Sequence, residues 1–123
     1  MAKILLADDS RTFLNYYHKV FAQLGLEVVE AASGTEAIEK AWKERPALIL
    51  LDLEMPGMSG AECTRLLKQD AACRTVPIIL ITQHISDRDM EVMYQSGCDE
   101  ILAKPVSPLQ LKGVVKRHLK ARK

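Results

Sequence analysis

Three carboxylates stand at the ends of two apolar runs: Asp8 and Asp9 close Ile4-Leu5-Leu6-Ala7, and Asp52 closes Leu48-Ile49-Leu50-Leu51. If both runs are parallel strands of one sheet, their C-terminal ends meet at one edge and the three acids converge. Carboxylates held that close repel one another, so at neutral pH the group must bind a cation or keep a proton. A hard divalent ion is the simplest answer. A third run, Ile78-Ile79-Leu80-Ile81, ends at Thr82, and a fourth, Ile101-Leu102-Ala103, ends at Lys104. Acids, hydroxyl and ammonium at successive strand ends make a site for a metal and an anion.

Magnesium takes oxygen ligands and keeps several waters, so Asp9 and Asp52 suffice as direct ligands, with Asp8 holding a water. A carboxylate such as Asp52 also serves as a nucleophile toward phosphorus, giving an acyl phosphate, a step that needs mainly charge neutralisation and in-line positioning. Lys104 then pairs with a phosphoryl oxygen and Thr82 donates a hydrogen bond. Taken singly, each residue has an ordinary reading: aspartates before helices act as caps, a strand-end threonine forms a turn, and a lysine sits in solvent. The ordered set at four strand ends is what points to chemistry.

Short apolar runs alternate with segments of helical periodicity, the signature of repeated βα units around a parallel sheet. Five units fit. The first helix, Arg11 to Leu24, carries Phe13, Leu14, Tyr17, Val20, Phe21 and Leu24 on one stripe and stops at Gly25, a left-handed cap. The second strand, Leu26 to Ala31, is interrupted by Glu27 and Glu30 and reads as an edge. Its helix starts near Ser33, which has capping-box spacing to Glu36 and turns Ala37, Ile38, Ala41 and Trp42 inward. Pro46 marks the turn into the Asp52 strand. A loop from Leu53 to Met58, punctuated by Pro56 and Gly57, leads to a helix opened by Ser59 and Glu62, again at capping-box spacing. Pro77 starts the Thr82 strand, a helix from Asp87 to Ser96 ends at Gly97, and the strand Glu100 to Ala103 runs into Lys104-Pro105. Ser107 caps the last helix, with Pro108 in its first turn.

The first, third and fourth strands are almost wholly apolar, as expected of strands covered on both faces. Right-handed crossovers and two less apolar flanking strands give an α/β, doubly wound (βα)5 sandwich with a five-stranded parallel sheet of order 2-1-3-4-5. In such sheets ligands sit beyond the strand C-termini at the order reversal, between strands one and three. Asp8, Asp9 and Asp52 fall there.

The chain of 123 residues suits a single domain over 1–123, and its 48% hydrophobic and 27% charged content is that of an ordinary globular protein. A net charge of +1 gives no global attraction to nucleic acid or membrane, so any electrostatic function is local. The basic residues Lys112, Lys116, Arg117, Lys120, Arg122 and Lys123 read as a solvated face of the last helix, since no aromatics are interleaved. No run approaches membrane-spanning length, and Met1-Ala2-Lys3 leads straight into a strand, which points to the cytoplasm. Cys63, Cys73 and Cys98 lack zinc-ligand spacing and read as free thiols. The G-x-G-x-x-G of a dinucleotide site is missing after the first strand.

These residues resemble the receiver domains of two-component response regulators, in the CheY-like superfamily with its flavodoxin-like fold. The resemblance rests on Leu5-Leu6-Ala7-Asp8-Asp9-Ser10, Leu51-Asp52-Leu53-Glu54-Met55-Pro56-Gly57-Met58-Ser59-Gly60, Ile81-Thr82 and Ala103-Lys104-Pro105, and it covers essentially the whole chain. It implies a phosphoacceptor at Asp52, a magnesium-binding acidic pair at Asp8 and Asp9, a backbone carbonyl ligand from Glu54, a switch hydroxyl at Thr82 and a phosphate-pairing Lys104. It also implies a cis peptide before Pro105. The phosphoryl donor would be a phosphohistidine on a sensor histidine kinase or phosphotransfer protein. The protein would assist its own phosphorylation and dephosphorylation rather than act as an enzyme on others. Phosphorylation would shift a pre-existing equilibrium and alter the face of helix 4, strand 5 and helix 5, where Met90, Met93 and Tyr94 lie, with Met93 and Val92 assigned to the core.

Three positions depart from the family pattern. Gln83 follows the switch threonine where a small residue is usual, Ile101 stands where a swinging aromatic is common, and Val106 replaces a frequent phenylalanine. Glu54 and His84 flank the pocket at positions that in the family govern attack of water on the acyl phosphate. A phosphodonor role for His18 does not fit, because phosphotransfer histidines lie on helical bundles. Two other readings stand beside the switch: a phosphorylation-independent interaction module with an altered pocket, and an aspartyl-phosphate phosphohydrolase, whose usual second acid Glu54 would have to supply from within a Met-Pro-Gly loop. The downstream protein effector, a homodimer and attachment to a longer regulator are all left open by the residues.

Overall fold

The computed structural model describes residues 2–83 and 85–119. Five strands, β1 (Lys3–Ala7), β2 (Glu27–Ala31), β3 (Leu48–Asp52), β4 (Ile78–Thr82) and β5 (Glu100–Ala103), alternate with five helices, α1 (Arg11–Gln23), α2 (Gly34–Glu44), α3 (Gly60–Gln69), α4 (Asp87–Ser96) and α5 (Pro108–Leu119). All strand pairs are parallel and the sheet order is β2-β1-β3-β4-β5. The expected order is the one found, with the Glu-interrupted β2 at an edge.

The continuous apolar runs follow from burial on both faces. Ile4, Leu6, Leu48, Leu50, Ile79 and Ile81 pack under α1 and α5 with Leu14, Phe21, Leu111 and Val114. The alternate residues, Leu5, Ala7, Ile49, Leu51, Ile78 and Leu80, pack under α2, α3 and α4 with Ala37, Ala41, Leu67 and Met93. Alternation along a strand thus fixes which layer each terminal residue joins. Asp8 and Asp52 continue the α1/α5 side.

The helix starts match their cap chemistry. Ser59 and Glu62 form a reciprocal capping box, and Ser107 and Gln110 form a second one at α5. At α2 the expected box is half made: Ser33 Oγ accepts from Glu36 N–H, but the Glu36 carboxylate accepts from Ala32 N–H, one residue earlier, at 2.6 Å. Gly25 and Gly97 take the left-handed conformation at φ 79 and φ 90, as the ends of α1 and α4 require.

Two side chains expected inside lie outside. Trp42 is 54% exposed and Val92 39% exposed. The buried stripe of α2 is Gly34, Ala37, Ile38 and Ala41, and at 3.6 residues per turn Trp42 lies roughly 90° from its centre. Val92 precedes the fully buried Met93 and is turned roughly 100° from it. Cys63 and Cys73 are buried, Cys98 is partly so, and all three are free thiols. Among the described residues no helix is long and apolar enough to cross a membrane.

Gly60 ties α3 to the site. A Cβ there would come 2.4 Å from the Asp52 carbonyl oxygen and 2.9 Å from Leu53 Cα, while Gly60 N–H donates to Leu53 O at 2.8 Å. The helix start therefore presses directly on the chain leaving β3. Gly60→Ala is expected to cost at least about 1 kcal/mol through overpacking against backbone, read by urea unfolding; a variant as stable as the parent would mean that the contact yields freely.

Candidate functional site

The acidic edge is built by backbone continuity before side chains enter. Asp8 N–H extends the sheet by donating to Ala31 O at 3.1 Å. Asp8 Oδ1 accepts from Ser10 N–H at 2.9 Å, and Ser10, not an aspartate, caps α1 by accepting from Phe13 N–H. The cap reading of the acid pair is thus taken over by Ser10, which leaves Asp8 Oδ2 and the Asp9 carboxylate to the cleft. Asp52, the last residue of β3, has Glu54 N–H 3.5 Å from its Oδ1.

Lys104 reaches the acids from the other side. Its N–H donates to Thr82 O at 2.8 Å and its peptide bond to Pro105 is cis. Nζ lies 3.0 Å from Asp8 Oδ2 and 3.4 Å from Asp52 Oδ1. The ammonium also sits 3.9 Å from the centroid of the Phe13 ring. All of this surrounds a cleft of about 300 Å³ lined by Asp8, Asp9, Ser10, Phe13, Asp52, Glu54, Gln83 and Lys104.

One carboxylate oxygen from each of Asp8, Asp9 and Asp52 lies within 4.8 Å of the other two, with Asp8 and Asp52 buried and Asp9 exposed. Burial and the neighbouring Asp8 push the Asp52 carboxyl up to about 6, against the opposing pull of Lys104. One ammonium therefore does not neutralise the group, and an all-oxygen donor set of this kind fits a hard divalent cation.

Thr82 is fully buried at the end of β4 and follows Ile78 and Leu80 onto the α3/α4 side of the sheet. Its carbonyl accepts from Lys104 N–H at 2.8 Å. Gln83 is exposed at the rim. Ile101 packs half-buried against the α2/α3/α4 layer, and Val106 is buried in the α1/α5 layer. His18 Nδ1 pairs with Glu30 Oε2 at 2.9 Å, away from the cleft. His84 and the basic residues Lys120, Arg122 and Lys123 lie outside the described residues.

The model of the response regulator receiver domain matches residues 4–116, which takes in every cleft residue. The chain belongs to the receiver-domain family. Receiver domains are signalling modules that work with histidine kinases or phosphotransfer proteins and with effectors. The chain is 30% identical over 116 residues to the polar-differentiation response regulator DivK of Brucella anthropi, covering 94% of each protein. The receiver domain of a signal transduction histidine kinase from Syntrophus aciditrophicus has the same fold at TM-score 0.94 and 32% identity, covering 100% of this chain and 93% of that one. The receiver domain of the sensor histidine kinase PA1611 from Pseudomonas aeruginosa, with a magnesium ion in its active-site cleft, matches at TM-score 0.91 and 29% identity, covering 97% and 98%.

This receiver domain has a second concave surface, on the α4–β5 side, of about 380 Å³ and lined by Ile85, Met90, Tyr94, Cys98 and Ile101 with Asp99 and Glu100. Tyr94 is 68% exposed there. Glu100 pins α5 beside it, accepting from Arg117 Nη2 at 2.5 Å and lying 2.8 Å from His118 Nε2. Sequence reasoning placed Gly60 in the motif around Asp52 but missed its packing against the Asp52 carbonyl, and it missed the contact of Phe13 with Lys104, which has no local signal.

Proposed function

We propose that this receiver domain, a single domain over 1–123, is a phosphorylation-operated switch with Asp52 as its phosphoacceptor. A carboxylate oxygen of Asp52 attacks the phosphorus of a phosphohistidine on a sensor kinase or phosphotransfer protein. A P–O bond forms, the P–N bond breaks, and the donor imidazole keeps the electron pair. Asp9, Asp52 and the Glu54 carbonyl would hold Mg²⁺ directly, with Asp8 bound through water, and the ion would offset negative charge between the acids and the incoming group. Lys104 pairs with a phosphoryl oxygen, and the Thr82 hydroxyl turns toward the dianion as the nearby loops rearrange. The effector-binding surface is the α4–β5–α5 face with its groove at Met90, Tyr94 and Ile101, and the protein works in the cytoplasm.

The observation that carries this reading is the pairing of a buried Asp52 carboxylate with Asp8 and Lys104 in one open cleft. Such a group is short of positive charge and accessible to a small donor.

A second reading, a phosphorylation-independent interaction module, is favoured by Ile101. An isoleucine packed against the core cannot provide the coupling of threonine to a swinging aromatic. Incubation with acetyl phosphate and magnesium, followed by intact mass spectrometry, separates the two. The switch predicts one added phosphoryl group that requires magnesium and is lost in Asp52→Asn. Absence of labelling, with phosphoramidate and a broad-specificity kinase also failing, would leave the interaction module.

A further inference from the structure

The Lys104 side chain is only 6% exposed, so its ammonium needs partners on every side. Asp8 and Asp52 cover one side, and the face of Phe13, 3.9 Å from ring centroid to nitrogen, covers another. This ring is itself held. It stacks on Tyr17 with centroids 6.1 Å apart, Tyr17 lies against Tyr16 at 5.6 Å, and the Tyr16 hydroxyl donates to Val106 O. One aromatic face of α1 thus grips both the head of Lys104 and the backbone two residues beyond it.

We propose that Phe13 is a positioning residue for Lys104, keeping the ammonium at the mouth of the cleft while its other partners change. The inference rests on Asp52 being the phosphoacceptor. A lysine that pairs with an incoming phosphoryl oxygen must give up part of its contact with the carboxylates. A hydrogen bond holds an ammonium along one direction, whereas a ring face attracts it through a quadrupole that tolerates rotation of the three N–H bonds. Phe13 therefore supplies the contact that Lys104 keeps throughout the exchange. An aliphatic side chain would fill the space without attracting the charge.

The test uses the whole chain with Phe13→Leu and Phe13→Trp. In the parent, the Lys104 ε-methylene protons are expected to be shifted upfield in the NMR spectrum by the ring, and the shift should persist in Phe13→Trp and vanish in Phe13→Leu. Magnesium-dependent labelling by acetyl phosphate is expected to be about tenfold slower in Phe13→Leu, the scale of one desolvated cation–π contact, with Phe13→Trp close to the parent. In a Lys104→Met background, Phe13→Leu should slow any residual labelling no further. Equal slowing in the leucine and tryptophan variants, or a parent rate in Phe13→Leu, would overturn the inference. So would an unshifted Lys104 methylene in the parent, which can be read even if the parent fails to label. Failure of the parent to label with acetyl phosphate, phosphoramidate and a broad-specificity kinase alike overturns the phosphoacceptor reading, and the positioning role with it.

Discussion

Lys104→Met is expected to lower the stability of the magnesium-free protein by about 3 kcal/mol near pH 8, the low end of the cost of removing one partner from a buried ion pair. Asp8 and Asp52 would face each other with the ammonium gone, and their side chains are 2% and 7% exposed. Because Lys104 pulls the Asp52 carboxyl down, its loss sends that carboxyl above its present value of about 6. Asp52 then takes a proton more readily, so the deficit should shrink as the pH falls from 8 to 5. Urea unfolding in EDTA at the two pH values measures this. Millimolar magnesium should restore more stability to the variant than to the parent, since ligands that bind only the folded state stabilise by mass action. A deficit independent of pH would mean that Lys104 supports the fold by packing over Phe13 instead of by charge.

The chain advertises the strand ends because the apolar runs give way to polar residues at one edge of the sheet, even though Asp8, Asp52 and Thr82 are themselves still buried. Asp8, Asp52, Thr82 and Lys104 could be placed on one sheet edge from four such stops, and the sheet order followed from which runs were wholly apolar. Side-chain aim was harder to read. Leu14, Tyr17, Val20 and Phe21 are buried as the α1 stripe requires, yet Phe13, at the stripe's edge, serves Lys104 near the far end of the chain. Hydrophobicity points Trp42 inward, although its angular position on α2 puts it at the boundary. Thr82 shows the same limit: a strand terminus fixes its place, while alternation sends its side chain toward α3 and α4, a detail the apolar run conceals by being apolar at every position.

Asp52→Asn is expected to stabilise the magnesium-free protein by about 2 kcal/mol at pH 8. The Asp52 carboxyl sits at about 6 in the folded protein against 3.8 without its surroundings. A carboxyl raised in this way contributes stability that is fully present below pH 3.8 and lost as the pH climbs through 6. Above that window the folded state carries the cost of an ionised, buried Asp52 beside Asp8. The amide of asparagine carries no such charge, so the gain over the parent should be near zero at pH 4 and should grow between pH 4 and 7. The full shift corresponds to about 3 kcal/mol, and the smaller figure allows for water in an open cleft. Thermal or urea unfolding of both proteins in EDTA across that range is the measurement. A destabilised variant at pH 8 would show that the 3.4 Å contact with Lys104 outweighs burial and repulsion from Asp8. The predicted sign instead makes the cleft a place where the fold gives up stability to keep charge concentrated. The same cost would be relieved by any process that brings positive charge to the cleft, so a cation would bind more tightly to the parent than to Asp52→Asn. Asp52 then costs the magnesium-free fold stability and, by the same charge, gives the site affinity for a cation.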